Sequence, residues 1–99
     1  MVRHVIIWDL DEGLSAAEKR SKKAEIKEKL EALAGVVPGL TEIHVYTDLL
    51  DSSKGDLMLD SFFESREALA GYQTHPAHLK AAAIVRSVAV HRSCADLEI

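Results

Sequence analysis

The sequence has 99 residues, 47% of them hydrophobic but only 5% aromatic, and 12 basic against 16 acidic side chains give a formal net charge of -4. A chain of this length makes one domain around one core; its acidic balance argues against nucleic acid as a partner, and the lone Cys94 excludes both an internal disulfide and a cysteine-rich zinc site. One unpaired thiol fits a reducing compartment, so a cytoplasmic protein is expected.

The opening segment Val2-Arg3-His4-Val5-Ile6-Ile7-Trp8 is β-branched and apolar on both alternating faces, which predicts a strand buried on both sides. His4, Ile6 and Trp8 fall on one face, Val5 and Ile7 on the other. The run is cut by Asp9 and Asp11 and is too short for the apolar region of a signal peptide. No uncharged apolar stretch approaches the ~20 residues of a membrane-spanning helix, so no membrane partner is expected. Ser15-Ala16-Ala17-Glu18 has the Ser-x-x-Glu form of a capping box and starts a helix. Ile26, Leu30 and Leu33 make its apolar stripe, Gly35 supplies its stop, and Pro38-Gly39 makes a turn. Leu40 to Thr47 returns to period two and predicts a second strand, with Ile43 and Val45 on one face and Leu40, His44 and Tyr46 on the other. The polar run Asp51-Ser52-Ser53-Lys54-Gly55 is a hairpin-type loop.

Leu57 to Phe63 reads as a third strand, and Ser65 caps a short helix from Arg66 to Tyr72. In Thr74-His75-Pro76-Ala77-His78 the proline disfavours a helical residue before it yet suits the first position of a helix. One helix therefore ends near Tyr72, and another, capped by His75, runs through Val85. Val88 to His91 and the tail to Ile99 form a last strand, one face of it polar through Arg92, Asp96 and Glu98. The order strand, helix, strand, strand, helix, strand predicts an α+β fold, a four-stranded antiparallel sheet with its helices on one face. The helix-free face then needs cover, most simply an identical sheet in a two-fold homodimer.

Chemistry concentrates around the proline. His75 and His78 lie three apart across a helix start, with Tyr72 just upstream. The positive end of a helix disfavours imidazolium, and a neutral imidazole can act as a base. The competing structural reading has His75 as a cap and His78 as a packing residue. The spacing also suits a metal, with His4, His44 or Asp60 as further ligands, but no HExxH, cysteine pair or carboxylate cluster accompanies it, and no metal is expected. His4 is either a satisfied interior histidine or a polar group projecting into a cavity with His78. Phosphate-cradling and dinucleotide-binding glycine patterns and a nucleophile elbow are missing, so no cofactor is expected. The same strand order serves RNA recognition, but Phe62 and Phe63 point to opposite faces and Asp60 would repel phosphate, so no nucleic acid is expected.

The V-R-H-V-I-I-W strand, the V-P-G-L turn, F-F-E-S-R-E-A-L and above all A-G-Y-Q-T-H-P-A-H-L resemble the stress-responsive A/B barrel, or Dabb, domain over essentially the whole chain. The resemblance implies a ferredoxin-like dimeric α+β barrel in which two sheets pack face to face. Many members have no assigned reaction; those with clear chemistry are polyketide cyclases, including one similar to this chain that closes a linear tetraketide to an aromatic acid by intramolecular aldol condensation. By that resemblance His78 matches the general base, Tyr72 its hydrogen-bonding partner, His75 the other histidine of the motif, and His4 the strand-one histidine of the pocket. Trp8 falls where a pocket would use it. Leu57 stands where the cyclase has a histidine and Ile26 where it has a tyrosine, so a less polar pocket and a different substrate are implied. Three readings stay open. One is a small apolar or carbonyl ligand handled by cofactor-free acid–base chemistry. The others are a non-catalytic, stress-associated structural or ligand-binding dimer, and a cofactor-independent monooxygenase or haem-degrading enzyme of the same superfamily.

Overall fold

The structure, a computed structural model, describes residues 1–99. Along the chain come β1 (Val2–Leu10), α1 (Ala16–Glu31), β2 (Leu40–Tyr46), β3 (Leu57–Phe63), α2 (Arg66–Thr74), α3 (Pro76–Arg86) and β4 (Ala89–Glu98). The strands form one antiparallel sheet in the order β2-β3-β1-β4, a ferredoxin-like arrangement with β1 and β3 inside. No helix is long and apolar enough to cross a membrane.

Local chemistry accounts for the element boundaries. α1 begins with both halves of the capping box: the Glu18 amide donates to Ser15 Oγ (3.1 Å) and the Ser15 amide to Glu18 Oε1 (2.9 Å). It ends at Glu31, earlier than the stop at Gly35 predicts, because the chain tightens into i→i+3 turns such as Leu33 N–H to the Leu30 carbonyl. Gly35 then takes φ 80. The turn before β2 uses Gly39 at φ 81, where an added Cβ would come within 2.4 Å of Ala68 Cβ. β2 departs from strict alternation: Leu40 is buried with Ile43 and Val45 rather than grouped with His44 and Tyr46, because the register against β3 shifts between Leu40 and Glu42. A bulge of this kind moves every earlier side chain to the opposite face.

The core lies between the sheet and the helices. Val2, His4, Ile6, Trp8 and Leu10 of β1 are all buried there, with Ile26 and Leu30 of α1, Tyr72 of α2 and Val85 of α3. The opposite face differs from the expectation of full burial: Arg3, Val5, Ile7 and Asp9 are half-buried in the single chain. Across it Arg3 holds Asp60 in a two-pronged ion pair, Nε to Oδ1 at 2.8 Å and Nη2 to Oδ2 at 2.9 Å. The Arg3 guanidinium also stands over the Phe62 ring, 5.5 Å from its centroid. Beyond Ala89 every residue of β4 is exposed.

Candidate functional site

Two short helices meeting at a proline bring the key rings together. Tyr72 lies in the last turns of α2 and His78 in the first turn of α3. Between them His75 serves both elements: its amide donates to the Tyr72 carbonyl (3.2 Å), and its Nδ1 accepts from the Ala77 amide (3.1 Å). The sharp joint places the Tyr72 and His78 rings with centroids 4.1 Å apart. From the sheet below, His4 approaches Tyr72 edge-on, centroids 6.1 Å apart. His4 is buried and its backbone is held by Ser61, whose Oγ donates to the His4 carbonyl at 3.0 Å across the β1–β3 register.

These three residues line one cavity of about 210 Å³, walled by apolar side chains including Ile6, Trp8, Leu30 and Leu59 and completed by Gln73, Arg86 and Arg92. That is below the ~300–1,000 Å³ typical of sites for drug-sized ligands, so a small molecule fits it better. Two polar atoms here are buried without any hydrogen-bond partner, Tyr72 Oη and His78 Nδ1. A buried polar atom without a protein partner is costly unless a water, an ion or a ligand satisfies it, and a catalytic role is one reason such an atom is kept.

The electrostatics favour an acid beside a base. Burial pushes the Tyr72 hydroxyl far above its ordinary value, so it stays protonated and donates at any physiological pH. Burial pushes His78 down, with smaller contributions in the same direction from His4, Arg86 and Arg92 and an opposing one from the Gln73 backbone. The ring is therefore neutral near pH 7, the form in which an imidazole can accept a proton. His4 Nδ1 donates to Asp96 Oδ1 on β4, which leaves its Nε2 as the nitrogen for other partners.

His4, Trp8, Tyr72 and His78 thus gather as the sequence suggests, whereas three other predicted site residues do not. His75 turns its ring nitrogen to the start of α3 and lies outside the cavity wall; Ile26 and Leu57 are fully buried core residues that do not line it either. Of the His75 ring nitrogens, Nδ1 is taken by the helix cap. One group of potential ligand atoms does converge: His4, Cys94 and Asp96 lie within 4.8 Å of one another. His4 and Asp96 are in direct hydrogen-bond contact there, which orients the His4 ring, and burial raises the Cys94 thiol beside them. Sequence reasoning missed Arg86, Arg92 and Asp96. The only signal for the last two was the polar face of the final strand.

Comparison with known proteins places the fold. A dimeric protein of unknown function and ferredoxin-like fold from Bacteroides fragilis superposes with a TM-score of 0.92 at 26% identity, over 99% of this chain and 95% of that one. A Dabb family protein from Mesorhizobium loti has a TM-score of 0.72 at 18% identity, over 99% and 95% of the two chains. A hydroxynitrile lyase from Passiflora edulis has a TM-score of 0.78 at 18% identity, over 99% and 92%. No curated protein sequence is significantly similar to this chain. The model of the stress responsive A/B barrel domain matches residues 2–99, the four-stranded sheet with its helices on one face agrees, and the chain belongs to the Dabb family.

Proposed function

We propose that this Dabb-domain protein is a homodimer that takes a small, largely apolar carbonyl compound into the Tyr72–His78 cavity and acts on it by cofactor-free acid–base chemistry. The observation that carries the reading is the pair of unpartnered buried atoms, a hydroxyl held protonated and an imidazole nitrogen held neutral, on two residues of one cavity wall. The neutral His78 imidazole removes a proton from the carbon next to the carbonyl. Tyr72 Oη hydrogen-bonds the oxygen on which negative charge develops, and His4, oriented by Asp96, assists. The enolate then attacks a second carbonyl, forming a carbon–carbon bond, and His78 returns its proton to the new alkoxide. Such a sequence is an aldol-type closure, in keeping with the polyketide cyclases of the family. That the fold accommodates catalysis is supported by the hydroxynitrile lyase that shares it.

Dimerisation through the helix-free sheet face is part of this proposal. It is supported by the half-buried Val5, Ile7, Met58 and Phe62 on that face and by the description of the Bacteroides fragilis protein as dimeric.

Deuterium incorporation at the α-carbon of acetophenone and phenylacetone, followed by NMR in D2O, tests the reaction. Protein-dependent exchange is expected, and His78→Gln lowers it by about 10²–10⁴-fold. Exchange no faster than in buffer, or unchanged in His78→Gln, removes the acid–base reading and leaves a ligand-binding protein.

A further inference from the structure

The cavity has a charged end that the proposed proton transfer does not use. Arg86 in the last turn of α3 and Arg92 on β4, paired in register with Trp8, both line it. The same two arginines, with Trp8 and Val85, also line a second hollow of about 260 Å³ that continues toward Val90. They therefore stand where two cavities meet. No Asp or Glu lines either hollow. Neither guanidinium has a carboxylate within ion-pair distance, whereas Arg3 holds Asp60 and Arg66 holds Glu98; the nearby Asp96 is engaged by His4. In a chain of net charge -4, two guanidinium groups without a carboxylate partner against one largely apolar cavity reverse the overall balance locally, although Arg92 also reaches the Cys94 thiol. A helix C-terminus accounts for Arg86 by itself, since its dipole favours a cation. It does not account for Arg92, which comes from a strand and converges on the same place.

We propose that Arg86 and Arg92 form a carboxylate subsite, so that the ligand of this cavity is a small carbonyl compound bearing a carboxylate. The carbonyl half of that statement rests on the function proposed above; the carboxylate half rests on the arginines alone. Guanidinium forks match carboxylate oxygens in paired, charge-assisted hydrogen bonds. An anion fixed at the junction leaves the ligand's apolar body in the inner cavity, with its carbonyl end toward Tyr72 and His78. The anion has a second effect. Arg86 and Arg92 both help to hold His78 neutral, so a carboxylate that neutralises them makes His78 a stronger base in the complex than in the free protein.

Binding, measured by NMR titration of the isotope-labelled protein, tests this independently of turnover. The probes are matched pairs, benzoate with benzamide and 4-phenyl-2-oxobutanoate with its primary amide. At least one acid is expected to bind roughly tenfold or more tightly than its amide, as charge-assisted bonds require. Arg86→Gln and Arg92→Gln each weaken the acid far more than the amide and so erase most of that preference; both side chains are exposed, so the fold survives their loss. The subsite is overturned if no acid binds at millimolar concentration, if acids and amides bind alike, or if neither variant changes the acid. It is also overturned if inorganic phosphate competes as well as the acids, or if the variants dissociate the dimer without changing affinity. An acid preference retained in His78→Gln, with no exchange by the native protein, defeats the acid–base reading and leaves the subsite standing. Exchange of acetophenone without acid preference does the reverse.

Discussion

Burial sets opposite protonation preferences on adjoining rings, and both can be read as stability. Tyr72 Oη is buried without a partner, and leaving a hydroxyl in that state costs about 1–3 kcal/mol. Tyr72→Phe removes the orphan atom at nearly constant shape. We expect it to raise stability by about 1 kcal/mol in denaturant unfolding, while carbonyl α-exchange falls by about 10²-fold, as for loss of one oxyanion donor. A variant that loses both stability and exchange would show that the hydroxyl has a structural partner. His78 gives a pH signature. Its folded value lies below the ordinary 6.5, so the unfolded chain binds more protons in that window. The group's contribution to stability is complete above about pH 6.5 and is lost as pH falls toward the depressed folded value. His78→Gln should unfold with a shallower pH dependence between pH 5 and 6.5 than the native chain, and equal slopes would contradict the depression. Tyr72 and His78 were legible in the sequence because they lie six residues apart across the joint at His75 and Pro76, which brings them together locally. Asp96 and Arg92 were not, since their neighbours His4 and Trp8 are about ninety residues away and only the β1–β4 register joins them.

At the scale of elements, the joint between α2 and α3 is what aims the site. His75 is not in the cavity, yet it closes one helix and opens the next within a single residue at φ -64, ψ 132. Its Nδ1 satisfies the Ala77 amide, which would otherwise be an orphan donor of the first turn. His75→Ala is expected to cost about 1 kcal/mol of stability, the usual loss for an N-cap, and to lower α-exchange because Tyr72 and His78 no longer hold their spacing. His75→Asn keeps a capping acceptor and should restore both. An alanine variant with native stability and native exchange would remove the joint from the account. The helix starts were readable because caps are written in adjacent residues, Ser15 with Glu18 and Ser65 before Ala68. The bulge in β2 and the early end of α1 were not, because each depends on what the segment packs against: Leu40 turns inward with Ile43 and Val45, and Leu33 stays in the core beyond the helix.

For the molecule as a whole, the proposed homodimer makes the helix-free face its interface. The two longer extents of the chain, 38 and 28 Å, give a sheet face large enough for the ~800 Å² per partner of a standard interface. In one chain the Arg3–Asp60 pair on that face stays wet on its Arg3 side only, the side chains being 40% and 11% exposed, and a pair still reached by water contributes less than a fully buried one. A second sheet laid over it would desolvate both charges. A buried pair that loses one member leaves an uncompensated charge, and that loss is severe. The same substitution therefore has different consequences for the chain and for the dimer. Asp60→Ala should shift the unfolding midpoint of the dissociated chain only slightly, yet raise the dimer dissociation constant by about tenfold or more, measured by sedimentation or light scattering across a dilution series. Arg3→Met, which removes the cation while keeping an apolar stem against Phe62, should weaken the dimer in the single variant. It should also recover much of the affinity when combined with Asp60→Leu, because replacing both partners by apolar groups removes the stranded charge. A native protein that sediments as one chain at micromolar concentration, or dimers indifferent to both substitutions, would place the interface elsewhere and leave Val5, Ile7 and Phe62 as a face in want of another partner.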